Sequence, residues 1–223
     1  MLINQEKSII PACDVTHLGY YRTLIEQTHD LDCVGGYKIG FGMGLEYGLS
    51  RVVGVTREFT DKPVIYDHQK AGTDIPETGK IFAEVLARAK VDSVILFPQA
   101  GPKTAEAWIK ACQDQDLHVI VGIVMTHENY MHDQGGHIYR ERALEIFEKS
   151  AQWGVKDFVI PGNKRDYQSH ICLTRLKDYP ATFYAPGGNE RSPHINHYII
   201  GRKIYNGEGN YRTNTIACQY ELL

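Results

Sequence analysis

Two runs, Val94-Ile95-Leu96-Phe97 and Val119-Ile120-Val121, are apolar at every position. A strand with one face in water alternates apolar and polar residues. A strand covered on both faces does not, and continuous apolar strands are the mark of parallel sheets flanked by helices. Working outward, similar β-rich runs occur at Ser8–Cys13, Cys33–Ile39, Pro63–Tyr66, Asp92–Phe97, Leu117–Met125, Val155–Ile160, Ala181–Ala185 and Tyr198–Ile200. Stretches with helical periodicity lie between them, such as Gly79–Ala89, Lys103–Gln113 and Ile138–Trp153. In the last, Ile138, Leu144, Ile146, Phe147 and Ala151 share a face, with Arg140, Glu141, Glu145 and Glu148 mostly opposite. Eight β/α units in 223 residues match a compact (β/α)8 TIM barrel, for which ~250 residues is typical. An open doubly wound sheet is the competitor. Its dinucleotide fingerprint is missing, because in Gly40-Phe41-Gly42-Met43-Gly44 the third glycine of GxGxxG falls on Leu45. No linker or low-complexity stretch interrupts the pattern, so residues 1–223 are expected to form one barrel domain.

Composition narrows the function classes. Lys and Arg number 24 against 27 Asp and Glu, a formal net charge of −3, with no basic block, so nucleic acid is not an expected partner. No apolar run approaches the ~20 residues of a membrane helix, and the opening MLINQEKSIIPACDV lacks the plan of a signal peptide. Five singly scattered cysteines, with no CxxC, argue against a disulfide framework or zinc ribbon and for a reducing, cytoplasmic setting.

In a parallel barrel the chemistry sits at the C-terminal ends of the strands. Those ends carry Asp14, Lys38, Asp67 with Lys70 and Asp74, Pro98-Gln99, Thr126, Pro161, Pro186 and Arg202. Three acids and two lysines at three neighbouring strand ends are costly to bury singly, so they form either a paired network or an active site. His127, His132 and His137 recur every five residues, a spacing that fits neither one helix face nor one strand face, and no metal is expected. Cys13 reads as a small core residue. Tyr184, Tyr198, Tyr205 and Tyr211 read chiefly as packing, with some wall-lining.

The segment Asp67-His68-Gln69-Lys70-Ala71-Gly72-Thr73-Asp74-Ile75-Pro76-Glu77-Thr78 resembles the signature of the orotidine 5′-monophosphate decarboxylase family. Ala12-Cys13-Asp14-Val15 resembles its first-strand aspartate motif, and Tyr37-Lys38-Ile39-Gly40 its second-strand lysine. Thr126-His127 stands where the family has Ser-His. Pro186-Gly187 and Ile199-Ile200-Gly201-Arg202-Lys203-Ile204-Tyr205 resemble its two phosphate-gripping segments. The match runs in order from residue 9 to about residue 205; the tail from Asn206 to Leu223 shows no family pattern. Two departures stand out. The family's Asp-x-Lys-x-x-Asp becomes Asp67-x-x-Lys70-x-x-x-Asp74, one residue longer in each gap. An early strand end or bulge near His68-Gln69 is expected to restore the aim of Lys70. The loop from Pro186 to Arg202 is short and has no evident clamp glutamine, Asn189 being the nearest candidate.

The resemblance implies conversion of orotidine 5′-monophosphate to uridine 5′-monophosphate and CO2 in pyrimidine biosynthesis, without metal or cofactor. It implies Lys70 as proton donor, Asp67 beside the scissile carboxylate, and Lys38 and Asp74 completing a chain of alternating charges. Asp14 and Thr78 would contact ribose and Thr126 the pyrimidine. Arg202, with backbone N–H groups near Gly187-Gly188 and Gly201, would hold phosphate, Pro186 and Asn189 being the other substrate-binding candidates of these segments. Asp74 and Thr78 would reach a neighbouring subunit's site, which implies a homodimer with shared active sites. The alternatives are a related sugar-phosphate lyase, synthase or epimerase, often Mg²⁺-dependent, and a phosphate-ligand-binding barrel without turnover.

Overall fold

A computed structural model describes residues 2–68, 74–122, 124–162, 176, 178–188 and 190–223. Eight strands lie where the apolar runs predict them: β1 Ser8–Pro11, β2 Tyr37–Gly40, β3 Val64–Asp67, β4 Ser93–Leu96, β5 His118–Gly122, β6 Asp157–Val159, β7 Thr182–Pro186 and β8 His197–Ile200. All pair in parallel in the order β1-β8-β7-β6-β5-β4-β3-β2. The seam between β1 and β2 is bridged at Ile9–Val34 and Ala12–Lys38, and Cys13 N–H donates to Lys38 O at 2.8 Å. The sheet therefore curls into a barrel rather than lying open.

Helices wrap the outside: α1 Leu18–Thr28, α2 Phe41–Tyr47, α3 Leu49–Arg57, α4 Thr78–Arg88, α5 Pro102–Gln113, α6 Arg140–Gln152, α7 Arg202–Tyr205 and α8 Tyr211–Leu222. The helix predicted from Ile138 starts at Arg140, because Ile138 instead bridges Met131 in the loop before it. The predicted strand from Cys33 starts at Tyr37. Gly35 is packed so tightly under β1 that a Cβ would lie 2.3 Å from Ser8 Oγ. Among the described residues no helix is long and apolar enough to cross a membrane.

Strand parity sorts the core into two layers. Inward residues Ile10, Ala12, Ile65, Ile95, Ile120, Val159, Tyr184 and Ile199 fill the barrel. Outward residues such as Ile9, Val94, Val119 and Phe158 join the helices in the larger layer. The buried side chains Ile95 and Ile120 each contribute about 1.5–3 kcal/mol relative to exposure. This is the physical reason that β4 and β5 carry no polar face.

The N-terminal end of the barrel is closed by polar groups that satisfy one another. Ser8 Oγ and His197 Nδ1 share a 2.8 Å hydrogen bond, Tyr184 O–H donates to Asp157 Oδ1 at 2.8 Å, and His118 Nε2 lies 2.7 Å from Asp157 Oδ2. Burial pushes His197 down to about 4, so the folded protein keeps it neutral while the unfolded chain protonates near 6.5. Unfolding then takes up a proton below pH 6.5, and this contribution to stability is lost as pH falls toward 4. Urea titrations should show stability falling by about 1.4 kcal/mol per pH unit more in wild type than in His197→Asn between pH 6 and 5. Equal slopes would contradict the buried neutral imidazole.

Candidate active site

The opposite end of the barrel concentrates charge. In β2 the side chain of Lys38 points inward, and in β3 Asp67 does the same one strand away. Lys38 Nζ donates to Asp67 Oδ2 at 2.8 Å and to both oxygens of Asp14 at 3.2 Å. Asp14 reaches this point because the Cys13–Lys38 backbone bond draws the end of β1 against β2. Gly40 leaves the space it needs, since a Cβ there would lie 2.5 Å from Asp14 Oδ1. Lys38 and Asp67 are 3% and 1% exposed.

Burying such ions costs several kcal/mol each, and well-packed apolar side chains in their place are often neutral or stabilising. Stability alone gives no reason for the trio, whereas a charged active site does. Burial draws the Lys38 ammonium toward its neutral form, but the attraction of Asp67 and then Asp14 outweighs it, and its pKa lies above that of ordinary lysine. Lys38 is therefore a fixed cation rather than a proton shuttle.

The trio lies at the end of a cavity of about 680 Å³, within the range of small-molecule sites. Asp14, Lys38, Asp67, Thr126, Pro186, Gly187, Gly201 and Arg202, all expected site residues, line it. Arg202 is exposed on its wall, and no salt bridge joins it to a described residue. The lining combines carboxylates and a lysine with a guanidinium, and the apolar Val159 and Ile199 also contribute.

Other expected residues fall elsewhere. Gly188 does not line the cavity: a Cβ on it would meet Ile200 Cδ1 at 2.1 Å and Leu222 Cδ1 at 2.8 Å, so it faces the helix packing. The amide of Gly187 is also committed, donating to Ile199 O at 3.1 Å. The expected anion nest at Gly187-Gly188 therefore loses one N–H to strand pairing. Pro98-Gln99 borders a different groove, and Gln99 donates to the Tyr130 hydroxyl. Asp74 is exposed and Thr78 half-buried at the start of α4, its hydroxyl donating to Ile75 O at 2.8 Å; neither lines this cavity. Lys70 and Asn189 lie outside the described residues.

Sequence reading passed over Val124, Met125, Val159, Gly162 and Ile199 as cavity residues and gave Tyr205 mainly a packing role. The inward parity of β6 and β8 was enough to find Val159 and Ile199. Tyr205 covers Gly201, where a Cβ would meet its ring at 3.2 Å, and burial raises its phenol pKa, with Asp14 adding to the effect. His127 packs edge-on against Tyr130 at the rim. Among the described residues no three His, Cys, Asp or Glu side chains form a group able to hold a metal ion. Cys13 is fully buried and its thiol pKa is pushed far up by burial, so it is no nucleophile.

No family model matches the chain. Among curated proteins, the orotidine 5′-phosphate decarboxylase of Thermoplasma volcanium is 26% identical over 208 residues, covering 91% of this chain and 88% of the relative. That of Methanosarcina mazei is 27% identical over 209 residues, covering 90% and 88%. The chain resembles orotidine 5′-phosphate decarboxylases almost end to end. Among solved structures, the decarboxylase of Methanocaldococcus jannaschii superposes with a TM-score of 0.77 over 97% of this chain and 98% of its own, at 20% identity. That of Sulfolobus solfataricus gives 0.73 over 96% of each, also at 20% identity. These superpositions establish the barrel fold.

β3 ends at Asp67 with its carboxylate inward, and His68 packs against Phe82. The lengthened gaps on either side of Lys70 fall largely on residues 69–73, outside the described residues.

Proposed function

We propose that this protein is an orotidine 5′-monophosphate decarboxylase, releasing CO2 and uridine 5′-monophosphate in pyrimidine biosynthesis. The observation that carries the reading is Lys38 held between Asp14 and Asp67 at the mouth of a barrel whose cavity also presents Arg202.

In this reaction the C6–carboxylate bond breaks, CO2 leaves, and the electron pair stays on C6 until a proton arrives. A carbanion with so little resonance stabilisation calls for charge already in place, because fixed dipoles and ions need no reorganisation at the moment of reaction. Asp67 stands beside the departing carboxylate. Lys70 follows it in the chain and supplies both the stabilising charge and the proton. Lys38 holds Asp67 and Asp14 in position, and Asp14 accepts from a ribose hydroxyl. Thr126 meets the pyrimidine edge. Arg202 grips the phosphate as a two-pronged donor, with the backbone of Gly201, Pro186 and Gly187 forming the surrounding wall. Asn189 is the proposed substitute for the clamp glutamine. The lysine and aspartates suffice for this chemistry without metal or cofactor.

Asp74 and Thr78 act in the neighbouring subunit of a homodimer. The exposure of Ile75 (56%), Ile81 (64%) and Val85 (42%), on α4 and just before it, supports this reading, because large apolar side chains left in water favour a partner.

The test is loss of orotidine 5′-monophosphate absorbance with purified protein in excess EDTA. Turnover supports the decarboxylase. Turnover only of sugar phosphates with Mg²⁺ would favour a lyase, synthase or epimerase, and binding of uridine 5′-monophosphate without turnover would favour a binding barrel. Arg202→Ala should raise KM about 10- to 100-fold, the equivalent of one charge-assisted contact worth ~1.5–3 kcal/mol. An unchanged KM removes Arg202 from the site.

A further inference from the structure

His68 follows directly after Asp67, at the start of the lengthened gap to Lys70. Its ring fills a slot made by Tyr66, Phe82 and Trp108, with centroid separations of 5.7, 4.4 and 5.7 Å, and it stacks on Trp108 at 25°. Trp108 also donates its indole N–H to Ile75 O at 2.9 Å. One indole thus holds the chain on both sides of residues 69–73, the segment to which Lys70 belongs. The slot is closely built: Gly79 lies against Trp108, where a Cβ would be 2.7 Å from Cδ1. Nδ1 of this imidazole is buried with no hydrogen-bond partner among the described residues. A group in that state is normally disfavoured, so ring shape rather than polarity suits the slot. Burial lowers the pKa of His68, more than Asp67 raises it, so the wedge is a neutral ring.

We infer that His68, wedged against Phe82 and Trp108, is a positioning residue that anchors the chain after Asp67 and sets where the following segment delivers Lys70. The inference rests on the decarboxylase reading for the role of Lys70, but not for the anchoring itself.

The test compares His68→Ala, His68→Phe and Trp108→Phe by kcat, by affinity for uridine 5′-monophosphate, and by hydrogen exchange of peptides spanning 68–78. A displacement of about 1 Å can cost ~100-fold in rate, so His68→Ala should lose about 10- to 100-fold in kcat while product affinity changes less than about threefold. Exchange should accelerate in 68–78 and not across the barrel. His68→Phe, which keeps the flat ring, should restore both kcat and protection. Unchanged kcat and exchange in His68→Ala would overturn the inference, as would equal loss of product binding with faster exchange throughout. Should His68→Ala fail to fold, Trp108→Phe keeps the aromatic bulk but loses the Ile75 bond. Reduced kcat with retained product affinity then supports anchoring, and normal kcat overturns it. A wild type inactive on orotidine 5′-monophosphate would defeat the functional reading, and local exchange would still decide the anchoring.

Discussion

Lys70→Ala should leave a folded protein that binds uridine 5′-monophosphate with near wild-type affinity and releases no measurable CO2. Two roles disappear together with this one ammonium. A proton delivered by a positioned acid is worth roughly 10²–10⁴ in rate, and a preorganised charge facing the developing anion roughly 10²–10³. A combined loss of about 10⁴-fold or more follows, even if the two contributions overlap. Product binding persists because Arg202 and Asp14, which grip phosphate and ribose in this account, are untouched. Single-turnover CO2 release alongside calorimetry with the product separates the two effects. Near-normal turnover would place the proton donor elsewhere and remove the chemical meaning of the variant spacing.

Lys38→Met should be the most destabilising substitution in the site. The methionine keeps most of the buried stem, but Asp67, 1% exposed, loses an ammonium at 2.8 Å. Removing one member of a buried ion pair typically costs about 3–5 kcal/mol, because the remaining charge keeps its desolvation cost and loses that attraction. Urea denaturation should therefore report a loss of about that size, and turnover should fail as well. The double variant Lys38→Met/Asp67→Asn should recover much of the stability and none of the activity. This separation follows from the coupling of residues in direct contact. A loss below ~1 kcal/mol in the single variant would mean that Lys38 is not the cation holding the trio.

What the sequence disclosed and what it withheld have different physical origins. β4 and β5 were legible because their runs Val94–Leu96 and Val119–Val121, buried on both faces, carry no polar residue, and the inward aim of Lys38 and Asp67 agrees with strand-end placement. The added residue after Asp67 was legible as a departure. The packing of His68 on Phe82 of α4 and Trp108 of α5 was not, because it is a contact between distant parts of the chain. The strand pairing of the Gly187 amide was hidden for a related reason. Its bond to Ile199 O is set by how β7 registers against β8, which local sequence does not state. Helix α8 went unread because its buried face, Thr215, Cys218 and Leu222, is small and sparse. Its one clear signal is Asn210, whose side chain caps the helix by accepting from Thr213 N–H at 2.9 Å.

The most direct test of the account is a reaction of wild-type protein with orotidine 5′-monophosphate in D2O containing excess EDTA, with CO2 and the C6 proton of the product measured together. The account predicts one CO2 per uridine 5′-monophosphate and deuterium at C6, delivered from an exchanged lysine ammonium. Absence of CO2, or turnover that EDTA abolishes, would contradict a barrel that decarboxylates with fixed charge alone.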